Sequence, residues 1–238
     1  MTKILKNTAA KTARFDVPRE TARFNMIEQQ IRTWDVLDPI VLQLLHEVPR
    51  EHFVPEEYQG LAFADIEIPI GYGQTMLSPK LEGRMLQALN VQNTHTVLHV
   101  GTGSGYFTAL LASLAKHVVS LDIEADLSTQ AAKRLAQHQI KNVTLEVADG
   151  VFGRPNTNSV NKEFYDVIVY TGSSPVEPAG VRQQLMLGGV MLIVLGNAPA
   201  MQATLIKRVS ETGFREDVLF ETCIPELINA PQAQPFEF

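Results

Sequence analysis

The chain is poor in the residues that staple, anchor or ligate. It has one cysteine, Cys223, so no intramolecular disulfide can form and no cysteine cluster can hold zinc. That excludes a disulfide-dense secreted scaffold and points to a reducing, cytoplasmic setting. Among the six histidines there is no His-Glu-x-x-His pattern, and His46, His52, His95, His117 and His138 lack metal-site spacing, so no metal is expected. Long apolar runs are missing too: Val190–Leu195 falls far short of the roughly 20 residues a bilayer demands. Positive charge is in deficit, with 20 Lys and Arg against 26 Asp and Glu, a net charge of -6 and a pI near 5.5. A field of that sign repels nucleic acid and anionic membranes, and neither is expected as a partner.

What is present is enough for one sizeable core, since 45% of the 238 residues are hydrophobic. Residues 1–24 depart from the average charge: Lys3, Lys6, Lys11, Arg14, Arg19 and Arg23 face only Asp16 and Glu20. This stretch reads as a basic, solvated arm. Residues 25–238 read as a single domain in two parts, a helical and loop cap over 25–80 and a core over 81–238. In the cap, Asn25 is expected to cap a helix through Met26, Ile27, Ile31 and Trp34. Asp38-Pro39 opens a second helix with the stripe Ile40, Val41, Leu44, Leu45 and Val48, which Pro49 stops. The loop that follows, with Pro55, Pro69 and Gly71-Tyr72-Gly73-Gln74-Thr75, is expected to hold little regular structure and is of a functional length.

Beyond Pro79, helices over 81–90, 106–114 and 127–139 alternate with strands over 96–100, 117–123, 143–147, 166–170 and 190–195. A last pair, 204–209 and 218–221, flanks the turn Thr212-Gly213. Such alternation implies right-handed crossovers and an α/β, Rossmann-like fold, with a mostly parallel central sheet and an antiparallel C-terminal strand pair.

The most informative segment is Val97-Leu98-His99-Val100-Gly101-Thr102-Gly103-Ser104-Gly105-Tyr106, a strand entering three alternate glycines and then a helix. Glycine serves where backbone must turn sharply or approach a ligand closely. Tyr106 stands where a dinucleotide fingerprint carries its third glycine, which disfavours a pyrophosphate-gripping site. The next strand ends at Asp122, an acid able to accept hydrogen bonds from ribose hydroxyls, and the one after leads to Asp149-Gly150. An adenosyl ligand without pyrophosphate fits, and S-adenosylmethionine is such a ligand. Cys223, in a strand-like stretch, reads as a small core residue.

With these motifs the chain resembles the protein-L-isoaspartate O-methyltransferases. The resemblance is carried by Val48-Pro49-Arg50-Glu51-His52-Phe53-Val54-Pro55, by Pro69-Ile70-Gly71-Tyr72-Gly73-Gln74-Thr75, by the glycine turn and by Ala148-Asp149-Gly150. Phe164–Thr171 and Leu187-Gly188-Gly189 extend it over roughly residues 25 to 225. It implies a class I methyltransferase fold, S-adenosylmethionine as cofactor and a protein or small-molecule carboxylate as methyl acceptor. It further implies cofactor binding by Gly101, Thr102, Gly103, Gly105, Asp122 and Ile123, with Asp149 and Gly150 near the adenine. Gln74, Thr75 and Tyr72 are expected on the acceptor side, with Thr75 and Ser78 as the catalytic candidates. The sequence departs from that family in two places. Leu77 replaces the serine associated with the acceptor carboxylate, and His99 stands where the family commonly has an acid that can touch the cofactor's amino acid part. Because a carboxylate acceptor is already ionised, in-line methyl transfer needs no general base, and none stands out. Two function classes follow: an O-methyltransferase, or a cofactor-binding protein of the same fold with lost or altered transfer. Leu77 discriminates between them. The sequence leaves the oligomeric state open.

Overall fold

A computed structural model describes residues 18–155 and 163–233 of the chain. The first part of the basic arm, 1–17, lies outside the described residues, whereas 18–25 form helix α1. This helix runs on without a break into a wider π-turn, Met26–Ile31, and a 3-10 turn, Arg32–Trp34. Asn25 is therefore not a cap. Its backbone is already helical (φ -62°, ψ -40°) and its side chain makes no capping bond, because the turn before it satisfies what a cap would. Met26, Ile27 and Ile31 are buried as expected, but Trp34 is 46% exposed and stacks under the Lys80 ammonium, 4.2 Å from the ring centre. Helix α2 (Pro39–Glu47) starts where Asp38 and Pro39 dictate, with Asp38 Oδ1 accepting from the Ile40 amide at 2.8 Å. It buries Val41, Leu44 and Leu45, while Ile40 faces solvent.

The segment expected to be irregular holds two 3-10 turns, Arg50–His52 and Glu56–Leu61, and a hairpin of β1 (Ile68–Gly71) and β2 (Gln74–Met76). Tyr72 and Gly73 both have positive φ, 55° and 70°, the turn geometry that matches strand twist in a two-residue hairpin. Ser78 precedes α3 (Pro79–Leu89), which Asn90 ends in the left-handed conformation.

The main sheet has seven strands: β3 (Thr96–Val100), β4 (His117–Asp122), β5 (Val143–Val147), β6 (Tyr165–Ser174), β7 (Leu185–Asn197), β8 (Ala200–Arg208) and β9 (Phe214–Thr222). Their order is β5-β4-β3-β6-β7-β8-β9. The first five are parallel, connected through α4 (Tyr106–Leu114) between β3 and β4 and α5 (Ala125–Gln137) between β4 and β5. The last two close the sheet as an antiparallel meander, as the turn at Thr212-Gly213 predicts. β8 and β9 run longer than expected because an antiparallel strand with one wet face alternates apolar and polar residues and so hides from a search for apolar runs. The chain runs outward from β3 to β5 and then returns to the other side of β3. This places the switch point, where ligands of such sheets lie, at the carboxyl ends of β3 and β6.

The N-terminal segment and the sheet share one core. Met26, Ile31 and Phe53 of the N-terminal segment, Met85 of α3, Leu110 of α4 and Val97 of β3 belong to a single buried cluster. Tyr106, fully buried, seats that segment: its ring packs against Phe53 at 5.6 Å and under the Arg50 guanidinium at 5.1 Å. After β9 the chain folds back, with the Ser173 amide donating to Pro225 O and the Leu227 amide to Ser173 O, both at 2.9 Å. Cys223 is exposed rather than a core residue, because it lies just past the edge strand where nothing covers it. Among the described residues no helix is long and apolar enough to cross a membrane, and no group of His, Cys, Asp or Glu is placed to hold a metal.

Candidate functional site

At the switch point a cleft opens between the sheet and the β1–β2 hairpin. The glycine turn forms its floor. Gly101 has φ +97°, and a Cβ there would come within 2.6 Å of Thr171 Oγ1 on β6. Gly103, at φ +52°, passes beneath Ile70 of the hairpin. Both adopt backbone that side chains resist. The Gly101 and Thr102 amides donate to Leu121 O, at 2.9 and 3.1 Å, which ties the turn to β4. Gly105 stands outside the cleft, capping α4 from a left-handed conformation.

Asp122 is the keystone of this floor. Its Oδ2 accepts from the Gly103 amide at 2.7 Å and its Oδ1 from the Glu124 amide at 2.9 Å. Burial raises its carboxyl above the usual range, against the pull of those amide bonds. Asp149 lies across the cleft, its Oδ1 on the Val151 amide at 3.0 Å and its Oδ2 on Asn229 Nδ2 at 2.9 Å. Thr102, Ile123 and Gly150 line the same space.

The opposite wall is made by Gln74, Thr75, Met76 and Leu77. The Thr75 hydroxyl donates to Glu67 Oε2 at 3.1 Å. Leu77 is buried in the wall, and its carbonyl accepts from Arg50 Nη2 at 2.7 Å. Ser78 does not line the cleft, so the hydroxyl one position along the chain stands in for nothing at Leu77. Tyr72 lies outside it as well, at the hairpin tip, where its hydroxyl donates to Asp126 of α5.

His99 does not reach the cleft. It is fully buried, and burial pushes its imidazole down to about 3, so it is neutral. Its Nε2 is 3.1 Å from Thr171 Oγ1, whose proton goes to Gly101 O at 2.7 Å; its Nδ1 faces the hydroxyls of Thr108 and Ser120 at 3.0 and 3.1 Å. This pattern assigns the proton to Nε2. The imidazole thereby supports the turn from behind through Thr171, in place of the cofactor contact expected for this position.

Two features of the cleft escaped sequence reasoning. One is the returning segment Pro225–Ile228, which forms a wall although nothing in its sequence marks it. The other is Glu82 in the first turn of α3, 2% exposed, whose Oε2 accepts from Arg50 Nη1. A signal for Glu82 existed: it occupies the helical spacing of the buried residues Met85, Leu86 and Leu89, an acid within an apolar stripe.

A family model for protein-L-isoaspartate(D-aspartate) O-methyltransferase matches residues 21–223. The chain belongs to this family. It is 36% identical over 190 residues to the protein-L-isoaspartate O-methyltransferase of Jannaschia sp. (strain CCS1), covering 80% of this chain and 83% of that enzyme. To the enzyme of the same name from Ruegeria pomeroyi it is 38% identical over 189 residues, 79% and 86% of the two chains. Among solved structures, a Plasmodium falciparum protein described as a protein-L-isoaspartate O-methyltransferase, in complex with S-adenosyl-L-homocysteine, superposes with a TM-score of 0.71 at 18% identity, covering 88% of this chain and 97% of that one. That likeness bears out the class I methyltransferase fold. Membership of the family makes S-adenosylmethionine the cofactor and methyl transfer the chemistry, and sets the enzyme above a cofactor-binding protein without transfer. The site agrees: a glycine floor without Cβ atoms, with a buried carboxylate at the next strand end, suits an adenosyl ligand.

Proposed function

We propose that this chain methylates the free α-carboxylate of isoaspartyl residues in proteins of the cytoplasm, in a site whose acceptor wall lacks the family's serine. The observation that carries the reading is a single cleft, with the glycine floor and Asp122 at one end and Gln74–Leu77 at the other. In this reading the backbone of Gly101, Thr102, Gly103 and Gly150 and the side chain of Ile123 pack against the cofactor, and Gly105 shapes the turn. Asp122 takes the ribose hydroxyls and Asp149 lies near the adenine. The bound cofactor supplies an electrophilic methyl: an O–CH₃ bond forms on the acceptor carboxylate as the C–S bond breaks, and no proton moves. The chain's own residues align the acceptor and exclude water. Residues 25–80 serve as the cap that brings Gln74, Thr75 and Leu77 over the core.

Leu77 puts an apolar side chain where a hydroxyl donor to the acceptor belongs, and desolvating a carboxylate without a partner is costly. The test is transfer of labelled methyl to isoaspartyl peptide, with the aspartyl peptide and whole-cell protein as comparisons. At pH 8 we expect slow transfer to the isoaspartyl peptide and none to the aspartyl one, with Leu77→Ser raising the rate. Absence of transfer in both proteins at every pH, with the cofactor bound, would overturn the assigned acceptor.

A further inference from the structure

The loss of the serine at position 77 raises the question of what else at that end of the cleft can donate a hydrogen bond to a carboxylate. Glu82 is placed to do so. Arg50, itself 1% exposed, holds Glu82 Oε2 with Nη1 and the Leu77 carbonyl with Nη2, so one guanidinium fixes the Glu82 carboxyl beside the backbone of Leu77. The remaining oxygen, Glu82 Oε1, has no hydrogen-bond partner among the described residues, and Glu82 lines the cleft together with Thr75, Met76 and Leu77.

We propose that Glu82, in its protonated form, is the acceptor-binding residue that replaces the missing serine: its carboxyl O–H donates to the acceptor carboxylate. This rests on the isoaspartyl reading above and deepens it. In the methylation step the bond made is O–CH₃ on the acceptor and the bond broken is C–S; the proton stays on Glu82, so an ionised acceptor meets a neutral donor instead of a second negative charge.

The surroundings support a carboxylic acid there. Burial pushes Glu82 up to about 7, although Arg50 pulls the other way. The groups that face it are Arg50 from the 3-10 turn and Tyr106 from α4, with the Arg23–Glu51 ion pair beyond Tyr106; Lys80, its neighbour on α3, is engaged with Asp65. Arg50 is the charged group that acts on Glu82, and its positive charge favours ionisation. An arriving acceptor carboxylate acts in the opposite sense, since two carboxylates in one low-dielectric site retain a shared proton. A carboxylic acid held neutral in an apolar site is an effective hydrogen-bond donor.

The inference predicts a pH profile that serine-based recognition would not give. Calorimetry of isoaspartyl peptide binding to the protein loaded with S-adenosyl-L-homocysteine should show affinity falling above pH 7, approaching about tenfold per pH unit as the proton is lost. Methyl transfer, as kcat/KM, should fall in parallel, while cofactor affinity stays level. Glu82→Gln keeps a neutral donor of the same shape, so its peptide affinity should vary by no more than about twofold between pH 6 and 9 and exceed that of the unaltered protein at pH 8.5. Glu82→Leu keeps the volume without a donor and should bind peptide weakly at every pH; circular dichroism and retained cofactor binding show whether each variant is folded. A level peptide-binding profile in the unaltered protein, or a Glu82→Gln profile that still falls above pH 7, would overturn the role of Glu82 while leaving the isoaspartyl acceptor intact. Absence of peptide binding and transfer at all pH values, in the unaltered protein and Leu77→Ser alike, would overturn the acceptor itself.

Discussion

The two walls of the cleft are built on opposite principles. The glycine wall comes from consecutive strand–turn–helix units, in which each lining group sits within a few residues of the strand that positions it; its buried Asp122 carboxyl is bonded to two backbone amides, and His99, behind the turn, is neutral and hydrogen-bonded at both ring nitrogens. The hairpin wall comes from 3-10 turns and a short hairpin, held by buried charge: Arg50 with Glu82, and Arg23 with Glu51 at 2.5 Å. Some polar atoms in this half, Glu51 Oε2 and Arg23 Nε among them, are buried without a partner in the structure. Backbone ladders hold the first wall, and two backbone amides offset the burial of its Asp122 carboxyl. Above pH 7, where Glu82 is ionised, the second depends on desolvated ions whose mutual attraction must offset their burial, so it is the half where one substitution costs most.

Arg50→Ala should therefore be the most damaging change. It strands Glu82 and releases the Ala62 and Leu77 carbonyls, which Arg50 holds at 2.9 and 2.7 Å, and should cost about 3–5 kcal/mol in denaturant unfolding. Arg50→Met combined with Glu82→Leu should recover much of that loss, since replacing a buried ion pair by packed apolar groups is often neutral. A single-variant loss below about 1 kcal/mol would erase the contrast between the walls.

The glycine wall has its own pH signature. His99 sits well below its unfolded value near 6.5, so the stability it contributes is present above that value and lost as pH falls toward 3, where the unfolded chain takes up a proton the folded one refuses. Against His99→Gln, the unaltered protein should lose up to about 1.4 kcal/mol per pH unit below 6.5. Parallel stability curves for the two proteins would mean that the imidazole is not held neutral.

Asp122→Ala tests whether the glycine wall holds the cofactor. Losing charge-assisted bonds of about 1.5–3 kcal/mol, it should weaken S-adenosyl-L-homocysteine binding by roughly 10- to 150-fold in calorimetry, partly by freeing the Gly103 amide. Gly103→Ala should also weaken binding in a protein that still folds, because the new methyl meets Ile70 at 3.2 Å in a left-handed turn. Normal affinity in either variant would mean that the turn serves the fold rather than the ligand.

The smallest effect is expected where the two walls touch. Tyr72→Phe removes only the solvent-exposed bond from the hairpin tip to Asp126. Global stability should be unchanged, and release of the bound cofactor product should quicken by no more than a few-fold in stopped flow. A large loss of affinity would make the hairpin tip part of the cofactor site.

How much could be read in advance follows the same division. The bounds of β3, α4 and β5 coincide with the sequence reading because apolar run, glycine turn and helix lie side by side in the chain. Asp38-Pro39 marked the start of α2 because a cap acts over two or three residues. Asn25 misled for the same reason: it has the chemistry of a cap, but whether it acts as one depends on the turn before it. Ser78 carries a hydroxyl one position from Leu77, but the turn into α3 leaves it off the cleft.

The α/β order, the glycine floor, the acids at successive strand ends and the absence of disulfide chemistry are all legible in the amino-acid sequence, because each is a property of residue identity or of residues close together in the chain. Folding alone brings Glu82 to the Arg50 that also holds the Leu77 carbonyl, turns His99 inward to Thr171, and closes the cleft with residues 225–228. The hydrogen bonds among these join residues up to 72 positions apart, and the cost of burying a charge or a ring nitrogen is set by what folding brings around it, which local sequence does not encode.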